Sequence, residues 1–189
     1  YAKERGMEVI PCIQTLAHLN QMFRWSEYNS VHDCDDILLI DEDKTYQLIE
    51  DMFRTLRECY NTKKLHIGMD EAWDMGRGNF LTKNGYVPPF DIFTEYMARL
   101  IEITNKYGLT PMMWSDMYFR ISAGNNGYYG KDTVIPKEVA ELIPEEVELV
   151  FWHYGEAEGC DDYMMKKRNE LGRKVIYAGG LWGWIGHFP

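Results

Sequence analysis

No apolar run in the sequence approaches the ~20 residues that span a bilayer, so no membrane-spanning helix is expected. Positive charge is also short: 20 Lys and Arg stand against 30 Asp and Glu, a net charge of −10. Phosphate backbones are bound by clustered Lys and Arg, and anionic membrane surfaces attract the same sign. Neither a nucleic acid nor a membrane is expected as partner, and an uncharged or weakly charged substrate suits the balance better. Cysteine is sparse, and Cys12, Cys34, Cys59 and Cys160 show no CxxC or CxxxH spacing that would gather a metal. They read as free thiols, which points to a reducing compartment and a cytoplasmic location. Nothing calls for a metal or a cofactor. No predicted strand leads into a GxGxxG or GxxxxGK phosphate turn, so a nucleotide-binding doubly wound sheet loses support.

Aromatic residues, by contrast, make up 14% of the chain, with 6 Trp and 13 Tyr. Large flat side chains fill cores, and the same indole and phenol faces stack on the C–H faces of sugar rings. The 189 residues can bury a substantial core in one domain. Tyr1-Ala-Lys-Glu-Arg-Gly6 reads as the last turn of a helix with its glycine cap. The sequence is therefore expected to begin inside a longer chain, and any leader would precede it.

One cycle then recurs: a helix, a short β-rich run, and a polar loop. Strands are expected at residues 8–15 (EVIPCIQT), 65–71 (LHIGMDE), 110–116 (TPMMWSD), 148–153 (ELVFWH) and 174–178. Helices are expected over 44–60, where Tyr46, Ile49, Met52, Phe53 and Leu56 share one face, and over 91–106, 137–142 and 161–171. Residues 72–89 read as a Gly- and Pro-rich loop, and the segment around Gly124, Asn125, Asn126, Gly127 and Gly130 as another. Strands alternating with helices indicate an α/β fold with a parallel sheet. Acids, aromatics and histidines at the strand ends suit a (β/α)8 barrel, whose sites lie at the carboxyl ends of the strands. Five strands do not close a barrel of eight, so residues 1–189 are expected to form the central part of one barrel.

The stretch LHIGMDE carries the most chemistry. Alternation puts Leu65, Ile67 and Met69 on one face and His66, Gly68 and Asp70 on the other. Glu71 follows at the point where the chain leaves the sheet. Two adjacent acids thus give one inward carboxylate and one at the barrel mouth.

HIGMDEAW resembles the His-x-Gly-Gly-Asp-Glu signature of glycoside hydrolase family 20, the β-N-acetylhexosaminidases, with Met69 in place of the second glycine. IQTLAH resembles the family segment x-Asp-x-Pro-Gly-His: His18 matches, while Gln14 replaces Asp and Leu16-Ala17 replaces Pro-Gly. WSDM (114–117) and FWHYG (151–155) resemble the ends of the fifth and sixth barrel strands. These matches cover about residues 7–184 and are most similar to the hexosaminidase D-like branch. The partial barrel would hold roughly strands 3 to 7.

The resemblance implies a retaining exo-hydrolase that removes terminal N-acetylhexosamine from glycans by substrate-assisted catalysis, an exception to the two-carboxylate scheme. The substrate's acetamide oxygen would attack C1 and form an oxazolinium. Glu71 would be the general acid and then the base, and Asp70 would accept the acetamide N–H. His18 would sit beside Glu71 and tune its proton. Trp114 and Trp152 would wall the sugar site, and Trp182 and Trp184 would either join them or serve packing alone. Asp116 would bind a sugar hydroxyl, and Tyr154 would hold the acetamide carbonyl. His66 is expected to be structural, and Trp25 and Trp73 to shape the entrance. The family's first-strand Arg and last-strand Trp are not in the sequence.

Three other readings stand beside this one. A two-carboxylate glycosidase of the β-galactosidase kind would pair Glu71 with a second acid such as Glu156. A sugar-binding barrel without catalysis would have no need of a proton donor. A metal-dependent barrel hydrolase would draw on His18, His66, Asp70 and His153, which include no His-x-His pair.

Overall fold

The computed structural model describes residues 1–124, 129, 132–154 and 160–179, with the backbone alone for 160–165. Four parallel strands stand side by side in chain order: β1 (Lys64–His66), β2 (Thr110–Trp114), β3 (Glu148–Trp152) and β4 (Val175–Ala178). Lys64 pairs with Thr110, Met112 with Glu148, and Leu149 with Val175. The helices are α1 (Asp43–Cys59), α2 (Asn79–Asn84), α3 (Pro89–Lys106), α4 (Asp116–Ala123), α5 (Lys137–Glu141) and α6 (Cys160–Leu171). A doubly wound sheet reverses its strand order at a switch point. The four described strands run in one direction without reversal, as an arc of a (β/α)8 barrel does.

Periodicity accounts for the two long helices. In α1, Tyr46, Ile49 and Phe53 recur at helical spacing and are buried, with Met52 and Leu56 packed at the margin. Helix α3 opens on Pro89, where a missing N–H costs nothing, and buries Ile92, Phe93, Tyr96, Met97, Leu100 and Ile101. Its stripe meets α1, with the Tyr46 and Tyr96 rings 5.7 Å apart. Middle residues of β2 and β3 are buried in succession, the pattern of a parallel sheet covered on both faces.

Three expectations need correction. Residues 8–15 do not form a ladder: the segment contributes a single Cys12–His66 bridge beside β1, with Ile13 N–H donating to the His66 carbonyl at 2.9 Å. Pro11 has no N–H to continue the pairing, and Met7, Val9 and Ile10 are exposed. The third expected strand stops at Trp114, and Asp116 opens α4 instead. The 72–89 loop contains a helix, α2, whose start is held by a distant residue. Buried Asp33 accepts the N–H of Gly76 at 2.9 Å and of Phe80 at 2.8 Å. No local pattern announces a cap supplied from so far away.

Register sorts one sheet face into layers. Because paired residues share a face, Lys64, His66, Met112, Trp114, Glu148, Val150 and Trp152 lie together. At the amino end Lys64 Nζ meets Glu148 Oε2 at 2.8 Å. His66, Met112 and Val150 are buried above that pair, and Trp114 and Trp152 stand at the carboxyl end. Cys12, Cys34 and Cys59 are free thiols. Among the described residues, no helix is long and apolar enough to cross a membrane.

Candidate active site

The carboxyl end of β1 is built from unusual backbone. Gly68, Met69 and Glu71 have φ of +71°, +77° and +54°, a region non-glycine residues enter rarely and mostly at functional sites. Glycine is favoured at position 68 by its φ of +71°, and an added Cβ would also displace the Gln14 side chain, whose Oε1 would lie 2.0 Å away. Leu65, Ile67 and Met69 are fully buried, as the alternation requires, although the ladder of β1 ends at His66. The turn is braced by His66, whose Nδ1 accepts the Gly68 N–H at 3.1 Å. Burial pushes His66 down to about 4, so the ring is neutral near pH 7. The Trp114 ring lies 4.4 Å from it.

The turn delivers Asp70 and Glu71 to one spot. His18, itself at φ +61°, has Nε2 3.1 Å from Asp70 Oδ2 and 3.4 Å from Glu71 Oε2. Its Nδ1 lies 3.7 Å from Asp36 Oδ2. The hydrogen bond to Asp70 raises His18 to about 9 against the opposing effect of burial, helped by the charges of Asp70, Glu71 and Asp36. At neutral pH an imidazolium therefore sits among three carboxylates. Gln14 Nε2 donates to Asp70 Oδ1 at 2.9 Å. Burial pushes the Asp70 carboxyl up, but the bonds from His18 and Gln14 outweigh this and hold it below its ordinary value. Asp70 is an anion with both oxygens oriented.

Glu71 is held through its main chain. Asp116 Oδ2 accepts the Glu71 N–H at 3.0 Å, and Asp116 Oδ1 lies 3.4 Å from the Trp152 indole nitrogen. Asp116 is 1% exposed and meets these donors rather than solvent. Burial raises it to about 7. The Trp152 ring stacks on Tyr154 at 5.6 Å, and Tyr154 is raised by burial and then by the charge of Asp70, which places the phenol within that carboxylate's field.

Thus the structure brings His18, Asp70, Glu71, Asp116 and Trp152 into one connected set, with Trp114 and Tyr154 at its edges. Trp25 is exposed on its loop, and Trp73 is partly exposed just beyond Glu71. Trp182, Trp184 and Glu156 lie outside the described residues. Among the described residues, no three His, Cys, Asp or Glu side chains are arranged to hold a metal ion. Sequence reasoning missed Asp36, which sits in a run of acids with nothing to single it out. It also missed Tyr129, whose hydroxyl lies 3.3 Å from Ser115 Oγ and 3.4 Å from the Trp152 N–H.

The family model described as glycosyl hydrolase family 20, catalytic domain, matches residues 1–178. Among solved structures, the chain is similar to the GH20 beta-N-acetylhexosaminidase from Streptomyces coelicolor A3(2), with 22% identity and a TM-score of 0.59 over 95% of this chain and 32% of that one. It is also similar to the beta-N-acetylhexosaminidase from Bacteroides fragilis NCTC 9343 (16%, TM-score 0.65, 97% of this chain and 35% of that one). A third is a mutant Streptomyces plicatus beta-hexosaminidase in complex with its product GlcNAc (23%, TM-score 0.58, 95% and 31%). At these identities the likeness is one of fold. The chain spans about a third of the length of each of these structures.

Proposed function

The chain belongs to glycosyl hydrolase family 20, and on that premise we propose that it is the central part, strands three to seven, of the (β/α)8 catalytic barrel of a retaining exo-β-N-acetylhexosaminidase. The segment 8–15 would be the third strand, and β1 to β4 the fourth to seventh. The single observation behind this is the position of His18, whose Nε2 reaches the carboxylates of both Asp70 and Glu71. Neighbouring side chains at a strand end normally diverge; here the left-handed turn makes them converge.

In the proposed reaction the substrate is a glycan ending in β-linked GlcNAc or GalNAc. Its acetamide oxygen attacks C1 while Glu71 gives a proton to the departing glycosidic oxygen, so the C1–O bond breaks as the oxazolinium ring closes. Asp70 accepts the acetamide N–H, which aims the nucleophile and offsets the positive charge that develops. Each Asp70 oxygen has a second lone pair beyond the one used by His18 or Gln14, so the substrate need not displace either. Water then loses a proton to Glu71 and attacks C1 from the face the leaving group vacated, giving the sugar with its configuration retained. His18 positions both acids, and Trp114, Trp152 and Tyr154 supply aromatic walls for the amidosugar.

The test uses the full-length protein. Cleavage of N-acetylglucosaminides or N-acetylgalactosaminides should exceed that of the corresponding glucosides and galactosides, and a thiazoline mimic of the oxazoline should inhibit competitively. Faster cleavage of the plain sugars, with no inhibition by the thiazoline, would instead support a two-carboxylate glycosidase.

A further inference from the structure

Beyond the acid pair along the chain lies a cavity of about 690 Å³ lined by Trp73, Asp74, Arg77, Tyr86 and Arg120, among others. It opens between the loop that follows β1 and helix α4, which follows β2, and so lies at the carboxyl end of the sheet. Its wall begins immediately beyond Glu71, where the Trp73 N–H donates to the Glu71 carbonyl at 2.7 Å. Helix α4 supplies Asp116 to hold Glu71 and, four residues on and on the same face, Arg120 to the cavity.

Two aromatic rings at this cavity each carry a guanidinium. Arg120 lies 5.4 Å from the Trp73 ring centre and donates to the Trp73 carbonyl at 3.0 Å. Arg77 lies 5.7 Å from the Tyr86 ring centre. Trp73 and Tyr86 are 40% and 65% exposed, a large surrender of apolar surface to water for two such rings. Of the cavity's three charged lining residues two are arginines, in a chain whose net charge is −10. Among the described residues, the Arg77 guanidinium meets no carboxylate. The loop carrying it is fixed on both sides, because Asp33 grips the N–H groups of Gly76 and Phe80.

We propose that this cavity is the leaving-group subsite and that it takes a hexose bearing an anionic group, either a uronate carboxylate or a sulfate ester. A pyranose stacks its C–H face on Trp73 or Tyr86, and the anion meets the guanidinium fork of Arg77, which matches planar or trigonal oxygen pairs. The assignment rests on the reading of Glu71 as proton donor: the leaving sugar departs on the donor's side, where the cavity begins. The expectation of a weakly charged substrate does not extend to this cavity, where two of the three charged lining side chains are cationic.

The experiment uses the full-length protein and two independent readouts. The first is kcat/KM for β-linked N-acetylhexosaminyl disaccharides whose leaving sugar is glucose, glucuronate or glucose 6-sulfate. At least one anionic substrate should exceed the glucose one by about tenfold, the size of a single charge-assisted contact. That ratio should collapse toward one in Arg77→Gln, mainly through KM, and be partly kept in Arg77→Lys. The second is calorimetric titration with free glucuronate, glucose 6-sulfate and glucose, which needs no turnover. Binding of an anionic sugar that weakens in Arg77→Gln and with added salt supports the subsite, and the better ligand identifies the anion. Equal kinetics for all three leaving sugars, together with no preference in the titration, overturns it. If no N-acetylhexosaminide is cleaved, the proposed activity fails, and the titration still decides the subsite. Tyr86→Ala, at an exposed position, gives a second variant should Arg77→Gln not fold.

Discussion

Asp116 Oδ2 accepts the main-chain N–H of Glu71 at 3.0 Å. The φ of +54° at Glu71 turns that N–H out of the sheet, and a buried amide left unpaired costs about as much as a lost hydrogen bond. Helix α4 answers it with a carboxylate from its first residue. Glu71, the proposed proton donor, is therefore positioned by the element that follows the neighbouring strand, and the Trp152 indole on β3 lies against the other oxygen of the same carboxylate.

Asp116→Asn should alter how stability depends on pH. The folded value of about 7 lies above the ordinary 3.8, so the fold prefers the neutral form. Its contribution is complete below about pH 4 and is lost as pH rises to about 7. The amide does not titrate, so the variant should lack that decline, seen as urea midpoints across this window. Parallel curves for the two proteins would contradict the burial argument.

His18→Gln should act at higher pH. His18 is raised from 6.5 to about 9, chiefly by its bond to Asp70, so its contribution is complete below about pH 6.5 and is lost as pH rises through about 9. The groups that face it are Asp36, Asp70 and Glu71. A proton NMR titration of the imidazole should find its midpoint well above 7. A midpoint near 6.5 would mean that the three carboxylates do not act on it.

Glu71→Gln in the full-length protein should lower kcat/KM at least ~100-fold on disaccharides, the usual scale of general-acid help. Aryl substrates with good leaving groups should suffer less, since they depart without a full proton. Similar losses on both classes would remove Glu71 from the donor role.

Asp70→Asn should damage cleavage of N-acetyl substrates much more than cleavage of the same sugars without the acetamide. The comparison is a ratio of kcat/KM values, and equal losses would leave Asp70 without its assigned partner.

Met69→Gly tests the departure from the family signature. Glycine relieves a left-handed φ of +77°, worth about 1 kcal/mol. It also removes a side chain with 0% exposure, a loss of roughly 2–5 kcal/mol for buried methionine. Packing outweighs backbone ease, so the variant should unfold roughly 1–4 kcal/mol more easily in urea. Equal or greater stability would show that the buried thioether contributes little.

The sequence by itself determined what repeats or adjoins along the chain. Spacing of Tyr46, Ile49 and Phe53 was enough for α1, and the helix expected over 91–106 is α3. Alternation correctly sent Leu65, Ile67 and Met69 inside, and the resemblance of HIGMDEAW to a family signature singled out Asp70 and Glu71 as candidates. Tertiary structure alone decided who meets those acids. Asp116, 45 residues from Glu71, and Gln14, 56 residues from Asp70, come into reach only when the segments they sit on are aligned beside β1. The helix α2 belongs to the same class, since its cap is a carboxylate supplied by Asp33 from another loop. Periodicity records which face of an element avoids water. The partner of a polar atom is chosen by the register between elements, and register is not written in any local stretch of the chain.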